Sequence, residues 1–206
     1  MQRQLDIVRG KTANLKKLFI LDSAFNPPTI AHHRFITQQQ GPQMLMLATQ
    51  NVDKQVSGVQ ERLRMMSLVD PDCIIATTNC AKFIDKAIGL RSKFPETELY
   101  FLMGMDTVER FFDNSYTSDA QISEFFQMAS IVYSPRSVKQ ELPPTSRRFL
   151  GKMIECSLPQ ECHDLSSSLV RARLKDHQDV GSLVPTRVLD LIRKEKWYQD
   201  GNLPTL

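Results

Sequence analysis

The sequence predicts a protein of the α/β class, with a doubly wound, mostly parallel β-sheet in a single domain. Its 206 residues are close to the roughly 100 to 200 residues of one domain. With 41% hydrophobic and 24% charged residues, the composition is typical of a folded globular protein and excludes disordered and collagen-like chains. Short apolar runs alternate with segments of helical periodicity, which indicates parallel strands joined by crossover helices.

Six strands are predicted at short apolar runs. The runs occupy residues 17–21, 43–48, 72–76, 98–103, 130–133 and 152–157. Each run has the length of a strand and falls far below the roughly 20 residues that a membrane-spanning helix needs. We therefore expect no membrane-spanning helix and no membrane partner.

Helices are predicted in the segments between and after these runs. In residues 59–69 the apolar side chains at 59, 63, 66 and 69 lie on one helical face. The other predicted helices begin near Thr29 or occupy residues 81–94, 107–112, 122–128, 167–175 and 185–197. Paired prolines at 143 and 144 make residues 137–148 the best candidate for a flexible loop.

The domain is expected to span residues 18–198, between a polar lead-in at 1–17 and a tail at 199–206. Together these features predict a Rossmann-like sheet, in which ligands bind beyond the carboxyl ends of the strands. Residues that directly follow strands are therefore the candidates for function. They lie at 22–32, 49–54, 104–106 and 134–136.

Charge and cysteine usage exclude several classes of protein. The formal net charge of +3 is too small for a protein that coats nucleic acid, although it permits a local anion site. The four cysteines form no C-x-x-C pair, so free thiols are expected in the cytoplasm, with the nucleus as an alternative. Cys156, Cys162 and His163 match none of the usual zinc spacings, so no metal site made of side chains is expected.

The turn after the first strand is the first candidate for chemistry. Prolines at 27 and 28 fix the turn, and Ser23, Ala24 and Ala31 are small enough for close backbone approach. A helix that begins there offers free N–H groups to an anion, with His32 about one turn inside it. The alternative is an ordinary strand-to-helix turn with partly exposed histidines.

The second candidate is the serine-rich segment at residues 164–173. Ser166 or Ser167 is a natural N-cap, but Arg171 and Arg173 occupy the early helix. Cations near the positive end of a helix dipole are unfavourable, and a bound phosphate would remove that conflict. The alternative is a solvated basic helix face.

A third candidate combines Gly104 and Asp106 at the end of the fourth predicted strand. Gly104 would let a ligand approach the backbone, and Asp106 would accept hydrogen bonds from hydroxyl groups. Asp106 is equally suited to be an ordinary N-cap. Lys54 and Arg136 follow other strands. Only this predicted position at the ligand-binding edge distinguishes them from ordinary solvated surface cations.

Five motifs in order resemble those of the nicotinamide mononucleotide adenylyltransferase family of nucleotidyltransferases. Residues 25–32, Phe-Asn-Pro-Pro-Thr-x-x-His, resemble its T/H-x-x-H signature, and residues 165–171, Leu-Ser-Ser-Ser-x-Val-Arg, are similar to its Ile-Ser-Ser-Thr-x-Ile-Arg motif. The segments at 62–65, 104–106 and 183–198 also fall in the family's order. The overall pattern is most similar to a divergent fungal branch.

The resemblance implies transfer of the adenylyl group of ATP to nicotinamide mononucleotide (NMN), which forms NAD and pyrophosphate with Mg²⁺ as the accompanying ion. Such a direct transfer needs no protein nucleophile, because positioning and electrostatic stabilisation can carry it. The catalytic residues would be His32 and Arg171. ATP would contact Phe25, Thr29, His32, Lys54, Gly104, Ser167, Ser168 and Arg171. The acceptor nucleotide would contact Ser23, Ala24, Asp106 and Arg136.

The sequence departs from the family's pattern in the acceptor half of the site. A Ser-Ala pair replaces the family's Gly-Ser directly before Phe25, and Trp197 is the only tryptophan. The tryptophans that would stack on nicotinamide are therefore absent, and Phe111, Phe112 or Tyr116 are expected to substitute. Two alternatives follow: a nucleotidyltransferase with a different phosphorylated acceptor, and a nucleotide-binding regulatory protein with little turnover.

Overall fold

The computed structural model describes residues 3–49, 58–137 and 140–199. Their strands form one sheet in the order β1-β4-β3-β2-β5-β6-β7, and every neighbouring pair is parallel except β1 and β4. The strands are β1 (Leu5–Arg9), β2 (Lys17–Asp22), β3 (Gln43–Ala48), β4 (Ile74–Thr78), β5 (Glu98–Gly104), β6 (Ala129–Ser134) and β7 (Met153–Glu155). The predicted fold class is confirmed.

Helices cover both faces of this sheet. They are α1 (Ile30–Thr37), α2 (Val59–Met66), α3 (Phe83–Lys93), α4 (Met105–Phe111), α5 (Asp119–Met128), α6 (Ser167–Lys175) and α7 (Thr186–Glu195). Short 3-10 helices occupy Pro144–Lys152 and Gln160–Cys162. Among the described residues, no helix combines the length and the apolar character needed to cross a membrane.

Successive side chains of the central strand β2 point alternately into two separate apolar layers. Leu21 packs with α1, α2, α6 and α7, whereas Leu18 and Ile20 face the opposite layer with α3, α4 and α5. The second layer is rich in phenylalanine, and the rings of Phe111 and Phe125 lie 4.9 Å apart between centroids. Burial on both faces explains why the central strands are continuous apolar runs.

Two segments differ from the sequence-based expectation. Strand β1 lies inside the predicted polar lead-in, where half-buried residues alternate with exposed ones such as Val8. An edge strand that buries one face leaves only this short alternation as a signal. The predicted loop over 137–148 ends in a 3-10 helix, because Pro144 occupies its first turn and the buried Ser146 hydroxyl donates to the Pro143 carbonyl.

The strand order brings three carboxyl ends side by side. Strand β2 pairs with β5, and β5 pairs with β6, with Gly104 opposite Ser134 at the last register position. Asp22 ends β2 on the same edge. The sheet therefore gathers segments that are far apart in sequence at one place beyond its carboxyl edge.

Gly10, directly after β1, provides a test of how that edge strand is fitted to the sheet. Its φ is +106°, and an added Cβ would lie 2.9 Å from the Ile74 Cα. We expect Gly10→Ala to lower the free energy of unfolding by more than about 1 kcal/mol, because neither the conformation nor the space suits a side chain. Urea denaturation monitored by circular dichroism measures the change.

Gly89 in α3 is the matched control, because a Cβ there would meet nothing within 4 Å. Gly89→Ala is expected to raise the free energy of unfolding by roughly 0.5 to 1 kcal/mol, since alanine favours the helix. Equal effects of the two substitutions would contradict the packing described for Gly10.

Candidate active site

A cavity of about 410 Å³ lies beyond the carboxyl ends of β2, β5 and β6. It falls on three of the four segments predicted from the sequence, at 22–32, 104–106 and 134–136. Most of the fourth segment, including Lys54, lies outside the described residues. The predicted residues that line the cavity are Ser23, Thr29, His32, Gly104, Asp106, Arg136 and Ser167.

The turn between β2 and α1 is held through its carbonyl groups. Ala24 accepts a hydrogen bond from Arg62 Nη1 (3.2 Å), and Asn26 accepts one from Arg171 Nη1 (2.6 Å). Ser167 Oγ donates to the Pro27 carbonyl at 2.8 Å. These donors come from α2 and α6, so two helices distant in sequence fix the course of the turn.

Thr29 and His32 form a reciprocal cap at the start of α1. Thr29 is the N-cap and its side chain accepts from the His32 N–H, while His32 Nδ1 accepts from the Thr29 N–H at 3.0 Å. An acceptor at Nδ1 assigns the ring proton to Nε2, which lies 3.0 Å from Ser23 Oγ. The cap therefore orients a neutral imidazole with its N–H at the cavity.

Burial lowers the pKa of His32 to about 4. Loss of hydration disfavours the charged imidazolium, and a proton on Nδ1 would oppose the Thr29 N–H. The ring is therefore a neutral hydrogen-bond donor near pH 7. Such a donor can stabilise charge that develops on a phosphate oxygen.

The N-terminus of α6 meets that of α1 at the same cavity. Ser166 is the N-cap of α6 and its Oγ accepts from the Leu169 N–H at 3.1 Å. Neither helix carries an acidic residue in its first turn. Two helix N-termini that converge without carboxylates make a positive site suited to phosphate groups.

The opposite wall of the cavity is formed by the end of β5 and the start of α4. Gly104 is the N-cap of α4, and a Cβ on it would meet nothing within 4 Å. The alternative that Asp106 caps this helix is therefore wrong. Asp106 instead lies in the first turn, half-exposed, and forms an ion pair with Arg136. These two predicted acceptor residues meet in space although they are distant in sequence.

Several predicted residues stand beside the cavity rather than in its lining. Phe25 is fully buried and is absent from the cavity lining. Ala24 is exposed, and Ser168 Oγ accepts from Arg171 Nη2 at 3.2 Å. Arg171 lies against the turn through Asn26. The ligand roles assigned to these residues stay predictions.

The expected aromatic substitutes for the missing tryptophans are wrong. Phe111 and Phe112 are buried in the phenylalanine-rich layer that contains α3, α4 and α5, and Tyr116 is absent from the cavity lining. Phe111 ends α4 and Phe112 directly follows it, and both rings pack against α5 rather than the cavity. Among the described residues, the phenylalanine that lines the cavity is Phe35.

Neither His163 nor Asp22 was singled out from the sequence as a residue of the site. His163 lines the cavity and its Nε2 donates to the Leu158 carbonyl at 3.0 Å. Asp22 lines the cavity floor and pairs with Lys86. A carboxylate that ends an otherwise apolar strand was a signal for Asp22, whereas nothing local distinguishes Lys86 in its helix.

The described part of the chain contains no group of three or more His, Cys, Asp and Glu side chains that could hold a metal. Cys156 Sγ instead donates to Gln38 Oε1 at 3.3 Å, and all four cysteines are free.

The depressed pKa of His32 predicts how stability depends on pH. Between pH 6.5 and 4 the unfolded chain binds a proton at His32 that the folded protein does not. That part of the free energy of unfolding is therefore present above pH 6.5 and lost as the pH falls to about 4. We expect the loss to reach at most about 3 kcal/mol.

His32→Gln is the comparison variant, because glutamine keeps the capping box but cannot titrate. Urea titrations of both proteins at several pH values isolate the His32 contribution from that of the carboxylates. The wild type should lose more stability than the variant between pH 6.5 and 4. Parallel pH curves would show that the imidazole is not buried as described.

Comparison with known proteins agrees with this geometry. The model of the cytidylyltransferase-like family matches residues 20–173. A Schizosaccharomyces pombe protein named "Putative nicotinamide mononucleotide adenylyltransferase" is 28% identical over 179 residues, which cover 81% of this chain and 72% of that protein. A Dehalococcoides mccartyi "Probable nicotinate-nucleotide adenylyltransferase" is 31% identical over 160 residues, which cover 71% of this chain and 75% of that protein.

A solved structure shares the fold at lower identity. Plasmodium falciparum nicotinic acid mononucleotide adenylyltransferase, complexed with APC, superposes with a TM-score of 0.67 at 16% identity, over 89% of this chain and 97% of that one. The same enzyme has also been solved complexed with NaAD. The matched residues include the turn after β2 and the start of α6, which meet at the cavity. This chain belongs to the cytidylyltransferase-like family and, within it, to the nicotinamide and nicotinate mononucleotide adenylyltransferases.

Proposed function

We propose that the protein transfers the adenylyl group of ATP to NMN, forming NAD and pyrophosphate. The observation that carries this proposal is the meeting of two helix N-termini, those of α1 and α6, around the His32 N–H at the carboxyl edge of the sheet. This arrangement suits a chain of phosphate groups. Direct transfer between two phosphates needs no protein nucleophile, because positioning and electrostatic stabilisation can carry it.

The proposed reaction is an in-line displacement at the α-phosphorus of ATP. An oxygen of the NMN phosphate forms the new P–O bond, and the bond to the bridging oxygen breaks, so its electron pair leaves with pyrophosphate. His32 Nε2–H would donate to an α-phosphate oxygen, where charge develops in the transition state. Ser23 would share this donor in the unliganded site, since its Oγ lies 3.0 Å away.

The triphosphate would lie along the α6 side of the cavity. Ser167 lines the cavity there, and Arg171 is tied to Ser168 one turn into the helix. We infer that these three residues and Thr29 bind the phosphates, with Lys54 as a further contact. Gly104 would admit the nucleotide to the backbone at the start of α4, because the space beside its Cα is open.

The acceptor would occupy the wall formed by Ser23, Asp106 and Arg136. NMN is favoured as the acceptor by the name of the S. pombe relative. The bacterial relatives are named for the nicotinate nucleotide, which makes nicotinic acid mononucleotide (NaMN) the second candidate.

Mg²⁺ is proposed to accompany ATP. The described residues offer no protein cage for it, so the ion would be held mainly by phosphate oxygens and water, as is usual for Mg²⁺ with nucleotides. When bound, it would neutralise part of the charge of the triphosphate. Asp22 and Asp106 are the carboxylates of the cavity lining.

The test is dinucleotide and pyrophosphate formation by purified protein with ATP, Mg²⁺ and NMN. We expect NAD from the wild type. His32→Ala should lower kcat by about 100-fold or more, because one preorganised donor to the transition state is lost. Arg171→Ala should mainly raise the KM for ATP, because its guanidinium lies beside the proposed phosphate site.

Two substitutions outside the cavity lining are the matched controls. His33→Ala alters the neighbouring histidine of α1, and Lys175→Ala removes an exposed cation from the last turn of α6. Both should retain wild-type rates. If product formed with NaMN and not with NMN, the acceptor would be NaMN. ATP binding without any product would indicate a regulatory nucleotide-binding protein.

A further inference from the structure

A buried ion pair lies beneath the cavity. Asp22 is the last residue of the central strand β2, and Lys86 comes from α3. Lys86 Nζ donates to Asp22 Oδ2, and the two side chains are only 3% and 10% exposed. A charged pair thus sits at the boundary between the cavity and the phenylalanine-rich layer.

Stability alone does not account for this pair. Lys86 Nζ lies 4.9 Å from the centre of the Phe83 ring, and the strand residues on the same face, Leu18 and Ile20, are completely buried. Removing two charges from water in such surroundings is costly, and apolar replacements are often as stable or more so. Stability of the fold therefore gives little physical reason for two charges at this position.

Only the acidic member of the ion pair lies in the cavity lining. Asp22 belongs to the cavity lining and Lys86 does not. Asp22 Oδ2 is bonded to Lys86, whereas the buried Oδ1 has no hydrogen-bond partner among the described residues. Asp22 therefore brings the negative end of the pair to the cavity lining, while its unpaired Oδ1 lies beneath the accessible surface.

The other charges of this wall belong to α4 and the segment after β6. Arg136 is paired with Asp106, and Arg110 lines the cavity from an exposed position. Asp22 lies deeper, next to Ser23 and at the foot of the wall that the acceptor would occupy. A ligand group that reaches this floor therefore contacts a carboxylate rather than a cation.

We propose that Asp22, held in place by Lys86, selects the acceptor by the group that its base carries. This inference rests on the proposed function and deepens it. A carboxamide offers N–H donors to the Asp22 carboxylate, whereas a carboxylate on the base offers none and is repelled by it. The pyridinium charge is common to both nucleotides. Asp22 thus favours NMN over NaMN.

The experiment compares kcat/KM for NMN and for NaMN at one saturating ATP concentration. We expect the wild type to prefer NMN by at least about tenfold, because a buried like-charge contact disfavours NaMN. Asp22→Asn should reduce that preference by about tenfold, since the neutral amide both donates and accepts. The KM for ATP should change less than twofold, because the pair lies away from α6.

Two further variants separate selection from folding. Asp22→Asn leaves Lys86 buried without its partner, so the double variant Asp22→Asn/Lys86→Met removes both charges and should also lose the preference. Asp85→Asn is the matched control, because Asp85 is the neighbouring carboxylate of α3 and pairs with Arg3 at the surface. It should keep the wild-type preference.

The outcomes distinguish this inference from the proposed function. Formation of neither dinucleotide by the wild type overturns the proposed function and this inference with it. Formation of both with a preference for NaMN, or with a preference that folded Asp22→Asn and the double variant leave unchanged, overturns the inference alone. Loss of the preference in both variants, with Asp85→Asn unchanged, supports it.

Discussion

The turn between β2 and α1 is the constraint on which the rest of the site depends. Its carbonyls are bonded by Arg62 of α2 and by Arg171 and Ser167 of α6, and the Tyr198 hydroxyl donates to the Asn26 side chain at 2.6 Å. Contacts from three distant parts of the chain therefore converge on a few residues. The tertiary structure thus positions this turn, and the position of the turn fixes where α1 begins.

The same contacts concentrate positive charge behind the turn. The Arg62 side chain is buried, its Nη2 has no hydrogen-bond partner within the described part of the chain, and burial lowers the pKa of its guanidinium. Arg171 bonds the Asn26 carbonyl of the same turn, and burial raises the pKa of Tyr198, which keeps the phenol neutral. With two helix N-termini in front and two guanidinium groups behind, the turn is a natural place for phosphate groups.

Folding and chemistry use the same hydrogen bonds at His32. The imidazole takes the third position of a capping box, which closes the first turn of α1 and at the same time orients Nε2 toward Ser23. On the floor beside it, the Asp22 carboxylate, which is paired with Lys86, supplies charge of the opposite sign. The cavity is thus divided into a cationic side formed by helix termini and a carboxylate floor under the proposed acceptor.

The sequence by itself determined the fold class, the strands that are buried on both faces and the edge of the sheet where the cavity lies. Apolar runs and helical periodicity report which faces are buried, and proline and serine at helix starts report where helices begin. These local patterns sufficed to select His32, Ser167, Arg171 and Asp106 as candidates, and the resemblance to the family added the expected ligand role of Thr29.

Only the tertiary structure decided which distant side chains meet. The pairing of Lys86 with Asp22 and of Arg136 with Asp106 joins positions 64 and 30 residues apart, which no local period records. The edge strand β1 was missed because it buries one face only. Phe111 and Phe112 were assigned to the cavity because apolar character is visible in a sequence, whereas the side of the sheet on which a ring is buried depends on packing across the whole domain.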